Sequence, residues 1–434
     1  MYKNGLLFEE EYVKELKKEF FMVDGDPEIG ERLFFDNSGG SLRLKSCVLA
    51  KSETEAYPDC PERVHERATV LKKMVTDGTE LLLKTVFGAK EGSVMTELTA
   101  SQTMFQMVGI IMENIPGKNA VVSSLEHPSA FDAVEYYCKK LGRELRVIPA
   151  NLVTGGIDPE AAAELIDGDT CLLSVMSASN VSGAINDIAE TVRLARAKKP
   201  DLFILSDAVQ HAPHCKLEAD KLGIDGMNFA PYKFFGVRGC GFAYVSPRVA
   251  ALPHHKLIAK EQSVFDLGTP APGNFAAAIE IVNYVKKIGA HFLPCENDGD
   301  ALYEEGMRRI HLQERGLLYR LLEGSENVPG LRHINGVRVY ADEPDLTRRD
   351  LIAAIAIDGL SLPDTVAEYY KRGVVVCDRP RTSIYARRIV DALGIDGAVR
   401  VSPMHCHGIA DIDRFLQVTQ EISEMAKKCK GDMR

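Results

Sequence analysis

From Asn119 to Val245 the chain alternates apolar runs of strand length with segments of helical periodicity, joined by short connections. Asn119–Ser123, Glu144–Ile148, Cys171–Met176, Leu202–Leu205, Gly226–Ala230 and Phe242–Val245 read as strands. Phe131–Leu141, Pro159–Leu165 and Ile188–Lys198 read as helices between them. Near-continuous apolar runs of this length are those of strands covered on both faces. The alternation predicts an α/β fold with a mostly parallel sheet sandwiched by helices. Ligands of such sheets sit beyond the carboxyl ends of the strands. His127, Asn180, Asp207 and Lys233 each fall just past a predicted strand end, so one crevice can collect all four.

Asp207 and Lys233 carry the chemistry of that crevice. Lys233 follows Asp207 by 26 residues, and Gln210 lies three residues after the acid. Taken singly, Asp207 reads more readily as a helix cap and Lys233 as a surface lysine. As a pair at the ends of neighbouring strands they are what pyridoxal phosphate (PLP) chemistry requires. The lysine amine bonds to the aldehyde, and the acid pairs with the pyridinium nitrogen so that the ring accepts electrons. Lys233 sits in the apolar context FAPYKFFG, which predicts a desolvated, neutral amine.

The remaining segments are organised around this block. Residues 1–22 read as one amphipathic helix, followed by a short strand, Leu33–Asp36, and the turn Asn37-Ser38-Gly39-Gly40, whose glycines allow close backbone approach. Thr96–Ile110 changes from a polar turn into an apolar helix. Its first amides lie beside Ser101, Gln102 and Thr103, an arrangement that suits an anion cradle or an ordinary N-cap. After Val245 come a rigid Gly/Pro loop at 268–274, a helix over Phe275–Ile288, a long helix over Asp298–Leu322 and a mixed α+β remainder. Arg400, within the apolar strand 397–402, needs a partner: either an internal carboxylate or that of a substrate. With 434 residues two domains are expected. The expected division is an N-terminal segment 1–50 packing on the small domain, a large α/β domain 51–290 and a small α+β domain 291–434.

Composition excludes several classes. A net charge of −10 argues against a nucleic-acid surface or a basic membrane patch. No apolar run approaches the roughly 18–20 residues of a membrane span. The acidic N-terminal pattern has no signal-peptide core. The ten cysteines are scattered, without a CxxC pair, as expected of reduced thiols in a cytoplasm. His405-Cys406-His407 reads as loop or core, because adjacent ligands diverge on any regular element; no metal is expected.

These motifs, in this order, resemble the class V aminotransferase group of fold-type I PLP enzymes, nearest its cysteine desulfurase and selenocysteine lyase branch. The resemblance runs from about Phe34 to Phe415. It is carried by FFDNSGG, EHPSA, SNVSG, DAVQ, the K-x-x-G-x-x-G-x-G run from Lys233 to Gly241, FDLGTP and VRVSPMH. It implies a large domain with a seven-stranded, mostly parallel sheet and a smaller C-terminal domain. It also implies that His127 stacks on the cofactor ring, Asp207 meets the pyridine nitrogen, and Asn180 and Gln210 lie near the ring oxygen. Lys233 is the implied Schiff-base lysine with Tyr232 beside it, and Ser101 and Gln102 are phosphate donors. Arg400 is the implied α-carboxylate ligand, with Asn37 near the substrate, and Thr269 reaches a partner subunit's phosphate in a homodimer.

The chain departs from that pattern in three places. Ser-x-His-Lys is replaced by Ala230-Pro231-Tyr232-Lys233, and the phosphate turn is altered to Ala100-Ser101-Gln102. Where desulfurases carry a mobile-loop cysteine, Cys377 stands in VVVC, which reads as the end of a buried strand and leaves its role as a nucleophile open. Arg379 and Arg381 make the following loop cationic, as solvated surface arginines or as partners of a second anionic group on a substrate. The expected reaction is lyase action on the β-substituent of a cysteine-like amino acid. The alternative is transamination or epimerisation of a small amino acid.

Overall fold

The structure is a computed structural model that describes residues 4–431. Its centre is a seven-stranded sheet of β1 (Ser93–Glu97), β2 (Asn119–Ser123), β3 (Glu144–Ile148), β4 (Thr170–Met176), β5 (Phe203–Asp207), β6 (Gly226–Phe229) and β7 (Gly241–Val245). The spatial order is β1-β7-β6-β5-β4-β2-β3. β7 runs antiparallel to both neighbours, and the pairings among β2 to β6 are parallel. Every residue of β2, β4, β5, β6 and β7 is buried, which is why these strands are mostly apolar.

A second, four-stranded antiparallel sheet comprises β8 (Val337–Tyr340), β9 (Ala353–Ile357), β10 (Cys377–Pro380) and β11 (Gly397–Val401), in the order β8-β9-β11-β10. It has its own apolar cluster, in which Ile355, Val399, Val401 and Phe415 are fully buried. This fold, a large mixed sheet and a smaller antiparallel one, matches the fold-type I expectation.

The N-terminal segment departs from expectation. Its helix, α1, covers only Glu10–Lys18, the stretch whose Tyr12, Val13 and Leu16 repeat on one face. The segment also serves both sheets rather than the small one alone. Tyr12, Leu16, Phe20, Leu44 and Cys47 join the core of the large sheet, and Leu33 and Phe35 join the small one. Leu33–Phe34 pairs parallel with Val374–Val375, tying the two units together.

Four longer helices position the site. α2 (Ala100–Asn114) and α3 (Pro128–Leu141) begin at the carboxyl edge of the large sheet. α4 (Pro272–Phe292) packs against α5 (Gly299–Glu323), which bridges the two sheets. Glycines let α4 and α5 approach closely: a Cβ on Gly289 would stand 1.9 Å from the Leu302 carbonyl oxygen, and one on Gly306 2.0 Å from that of Val285. Among the described residues no helix is long and apolar enough to cross a membrane.

Candidate active site

A cavity of about 400 Å³ opens where β4, β5 and β6 end, between the two sheets. Of the residues singled out in the sequence, Ser101, His127, Asn180, Asp207, Gln210, Tyr232, Lys233 and Arg400 line it. Parallel strands deliver four of these from one edge, and β11 brings Arg400 from the facing sheet.

Lys233 ends a tight turn, Pro231–Lys233, directly after β6. Its Nζ lies 3.5 Å from Gln210 Oε1. Burial, and then the neighbouring Arg400 cation, lower the amine to about 7, against the pull of Asp207. The turn is held by a strained residue: Phe235, two positions on, has φ +62, a conformation bulky side chains avoid. Its amide donates to Ser41 Oγ at 2.9 Å, and its ring packs 4.7 Å from that of His405.

Asp207 closes β5 and is 5 % exposed. One oxygen accepts from the Val209 amide at 2.9 Å. Burial raises its carboxyl, partly offset by the Val209 amide and Lys233. Beside it is a residue the sequence reading quoted in EHPSA without assigning it a role. Glu126 is fully buried; its Oε1 accepts from Ser123 Oγ at 2.7 Å and from the Met176 amide at 2.5 Å, while Oε2 has no partner. Burial first, and then the field of Asp207, hold its carboxyl well above the usual range. Its position immediately before His127, at a strand end, was the available signal.

His127 caps α3. Its Nδ1 accepts from the Ser129 amide at 3.1 Å and lies 2.7 Å from Ser129 Oγ. Burial, then the cations Lys233, Arg379 and Arg388, lower the ring to about 3. The imidazole is therefore neutral with Nδ1 as acceptor, which leaves the proton on Nε2. Tyr385, from the segment after β10, lies nearly parallel to it, ring centres 5.9 Å apart.

Arg400 is 2 % exposed and has an internal carboxylate partner. Nη2 pairs with Asp36 at 2.7 Å and Nη1 donates to the Asn180 carbonyl oxygen at 3.1 Å, yet Nε is buried without a partner. Gly39 makes room for this pair, since a Cβ there would stand 2.8 Å from the Asp36 carboxylate. Asn180 Oδ1 is likewise buried and unpartnered.

Behind Gln210 a buried polar layer ties the two sheets together. His214 Nδ1 meets Glu314 on α5 at 2.7 Å, and His211 Nδ1 meets Asp350 at 3.0 Å. His405 Nε2 bonds the Tyr284 hydroxyl at 2.7 Å, and His407 Nδ1 bonds the Met404 backbone, so each histidine of the His-Cys-His run is tied into the core through one ring nitrogen, while His405 Nδ1 and His407 Nε2 have no hydrogen-bond partner.

Two expected site residues lie elsewhere, and Thr269, expected at a partner's site, is outside this chain's own cavity. Asn37 is consumed by backbone: Nδ2 donates to the carbonyls of Phe34 and Ser402, and Oδ1 accepts from the Leu42 amide. It bolts the turn in place, and its neighbours Ser38 and Gly39 line the cavity instead. Gln102 is exposed, its side chain turned back to the capping Thr99. Thr269 stands outside its own chain's cavity, and its hydroxyl donates to Glu62.

The start of α2 is an anion-accepting edge. Thr99 caps it, accepting from the Gln102 amide at 3.2 Å, and the amides of Ala100 and Ser101 precede the helix's own acceptors. Arg238, from the glycine-punctuated turn, lies 4.3 Å over the Tyr232 ring and lines the same cavity. Arg379 also lines it, whereas Arg381 is at the surface, paired with Asp391 and Asp396. Cys377 does not line the cavity. Its half-buried thiol donates to the Asp378 carbonyl at 3.3 Å and is raised by burial.

Known proteins share this architecture. The chain is 26% identical over 186 residues to cysteine desulfurase IscS of Dictyoglomus turgidum, covering 43% of this chain and 46% of that protein. It is 28% identical over 325 residues to a cysteine desulfurase of Cronobacter sakazakii, covering 70% and 75%. The chain thus spans about half the length of some curated relatives and three quarters of others. Its fold is similar to that of an apo cysteine desulfurase from Thermococcus onnurineus NA1, with TM-score 0.79, 22% identity and coverage of 95% and 98%. It is also similar to CsdA of Escherichia coli, with TM-score 0.76, 17% identity and coverage of 97% and 100%. The family model for aminotransferase class-V matches residues 33–415, and the chain belongs to that family.

Proposed function

We propose that this chain is a PLP-dependent lyase that releases the β-substituent of a cysteine-like amino acid. The observation that carries the reading is the meeting of Lys233, Asp207 and Arg400 in one cavity at the carboxyl edge of the large sheet. The residues present fit the cofactor. The α2 N-terminus and the stacked Arg238 offer donors to a phosphate, in place of the serine and histidine absent before Lys233. Asp207 offers an acid to a ring nitrogen, His127 a flat face, and Asn180 and Gln210 polar atoms to a ring oxygen. When bound, PLP supplies an electron sink for the charge left as a bond to Cα breaks.

The chain's own groups do the rest. Lys233, with an amine near 7, anchors the aldehyde and is then a base of suitable strength for the Cα proton. Arg400 offers its buried Nε edge to the α-carboxylate. Once the Cα–H bond is broken and its proton is on Lys233, a thiolate or selenolate β-substituent leaves with its bonding electron pair, whereas a sulfinate leaves as SO2 and its bonding pair stays on Cβ to take a proton. In the first case water then completes the products, a keto acid and ammonia. No cysteine lines the cavity among the described residues, which favours release of the substituent over its capture as a persulfide.

A homodimer and a cytoplasmic setting belong to this reading. The first is supported by the Thr269 loop, which exposes Leu257, Ile258 and Leu267. The second is supported by nine unpaired cysteines among the described residues. The test is the absorption spectrum of the protein with PLP, followed by cysteine, cysteine sulfinate, selenocysteine, alanine and aspartate, assaying keto acid, sulfide and ammonia. Visible absorbance lost in Lys233→Ala, with ammonia or a sulfur product, supports the lyase. A stable pyridoxamine form replaces it with an aminotransferase, and no absorbance with added PLP overturns the reading.

A further inference from the structure

Four cations, Lys233, Arg238, Arg379 and Arg400, line this cavity beside one carboxylate, Asp207. In the β10–β11 ladder Cys377 stands opposite Arg400 and Arg379 opposite Ala398. Residues two apart on a strand share a face, so Arg379 and Arg400 are diagonal neighbours on the face turned toward the large sheet, about 7 Å apart in such a ladder. Both line the cavity that holds Lys233. Their partners differ. Arg400 is paired with Asp36. Arg379 has no carboxylate within ion-pair distance among the described residues; its one hydrogen bond is from Nη2 to the Tyr385 carbonyl at 2.8 Å, and its Nε is buried without a partner.

A guanidinium held in a pocket beside another arginine pays desolvation and like-charge repulsion at once, and such groups are paired when the site is filled. Burial and then Arg400 already draw its pKa down to about 10. Arg238 sits on the Tyr232 ring, by the phosphate edge, and Arg400 serves the α-carboxylate. Arg379 remains for something else.

We infer that the substrate carries a second anionic group on its side chain, a sulfinate or a carboxylate, and that Arg379 binds it while Arg400 binds the α-carboxylate. This rests on the amino-acid reading of the site and narrows it. Arg379 is then the residue that sets specificity: its planar fork suits a two-oxygen anion, and its place beyond Arg400 on the ladder puts that anion one or two carbons past Cα.

The test uses the PLP-loaded wild type with cysteine sulfinate, aspartate, cysteine and alanine, followed as amino acid consumed, and repeats it with Arg379→Gln and Arg379→Lys. The wild type is expected to favour cysteine sulfinate or aspartate over cysteine in kcat/KM. Arg379→Gln should cut that preference about tenfold to a hundredfold, through KM, and Arg379→Lys should restore part of it. A carboxylate preference and a sulfinate preference are told apart by which of the two substrates leads. A loaded wild type that prefers cysteine or alanine overturns the inference alone, and that comparison needs no variant to fold. A uniform loss across all four substrates in Arg379→Gln also overturns it, by showing a structural role. A protein that never acquires cofactor absorbance overturns the parent reading, and this one with it.

Discussion

Cys377 lies directly opposite Arg400 across the β10–β11 ladder, with its thiol turned to its own strand's carbonyl at Asp378 rather than to the cavity. A persulfide-forming cysteine must reach the substrate's sulfur as a thiolate. This thiol is fixed in a sheet and raised by burial, with the Asp36 carboxylate adding to the rise. Cys377→Ser should therefore keep cofactor absorbance and keep the rate of product formation from cysteine within about threefold of wild type, a change of under about 1 kcal/mol. Loss of sulfur release with the absorbance intact would return Cys377 to the role of nucleophile.

Lys233 sets the pH at which the cofactor attaches. The neutral amine is the reactive form, and its folded value of about 7 lies far below the ordinary 10.5. The rate of PLP incorporation into the apo-protein should thus rise through about pH 7 and then level off. Removing a nearby cation weakens the depression, so Arg379→Gln should move the midpoint upward. Stopped-flow absorbance across pH 5.5–9.5 reads both. A wild-type midpoint still climbing at the top of that range would contradict the desolvated amine.

Much of this was legible because it is periodic. The βα alternation marked the parallel strands and therefore the edge at which His127, Asn180, Asp207 and Lys233 meet. Arg400 stood out as a charge inside an apolar strand. What stayed hidden depends on contacts between distant segments. The family resemblance implies Asn37 near the substrate, yet its three side-chain hydrogen bonds go to Phe34, Leu42 and Ser402, the last 365 residues away. Arg379 and Arg381 are indistinguishable as neighbours in sequence. Arg379 lies inside β10, opposite Ala398, and reaches the cavity, whereas Arg381 lies past the strand's end and pairs with Asp391. β1 was missed because its two-sided half-burial gives neither an apolar run nor clean alternation.

Glu126 gives a stability signature with a definite sign. Its folded value lies above the ordinary 4.5, so its contribution is fully present below 4.5 and is lost as pH rises toward the folded value. Glutamine keeps the acceptor for Ser123 and Met176 and does not titrate. The stability of the wild type relative to Glu126→Gln should therefore fall as pH rises, with a slope approaching about 1.4 kcal/mol per pH unit. Urea unfolding of both proteins at pH 5, 6 and 7 measures it, and parallel curves would mean that Glu126 is ionised.

The start of α2 depends on one glycine. Gly241 opens β7 flat against that helix end: a Cβ there would stand 2.1 Å from the Ala100 amide nitrogen and 2.4 Å from the Thr99 carbonyl carbon. These are backbone atoms, so no rotamer change relieves the clash. The strand and the helix must separate, and with them the amides of Ala100 and Ser101 that face the cavity. Gly241→Ala should destabilise the fold by about 1–3 kcal/mol and, beyond that, weaken PLP binding in the folded fraction. The second effect distinguishes the anion edge from mere packing. Equilibrium dialysis against PLP and against pyridoxal, which lacks the phosphate, should show affinity lost for PLP and little changed for pyridoxal. Equal losses for the two would place the phosphate elsewhere.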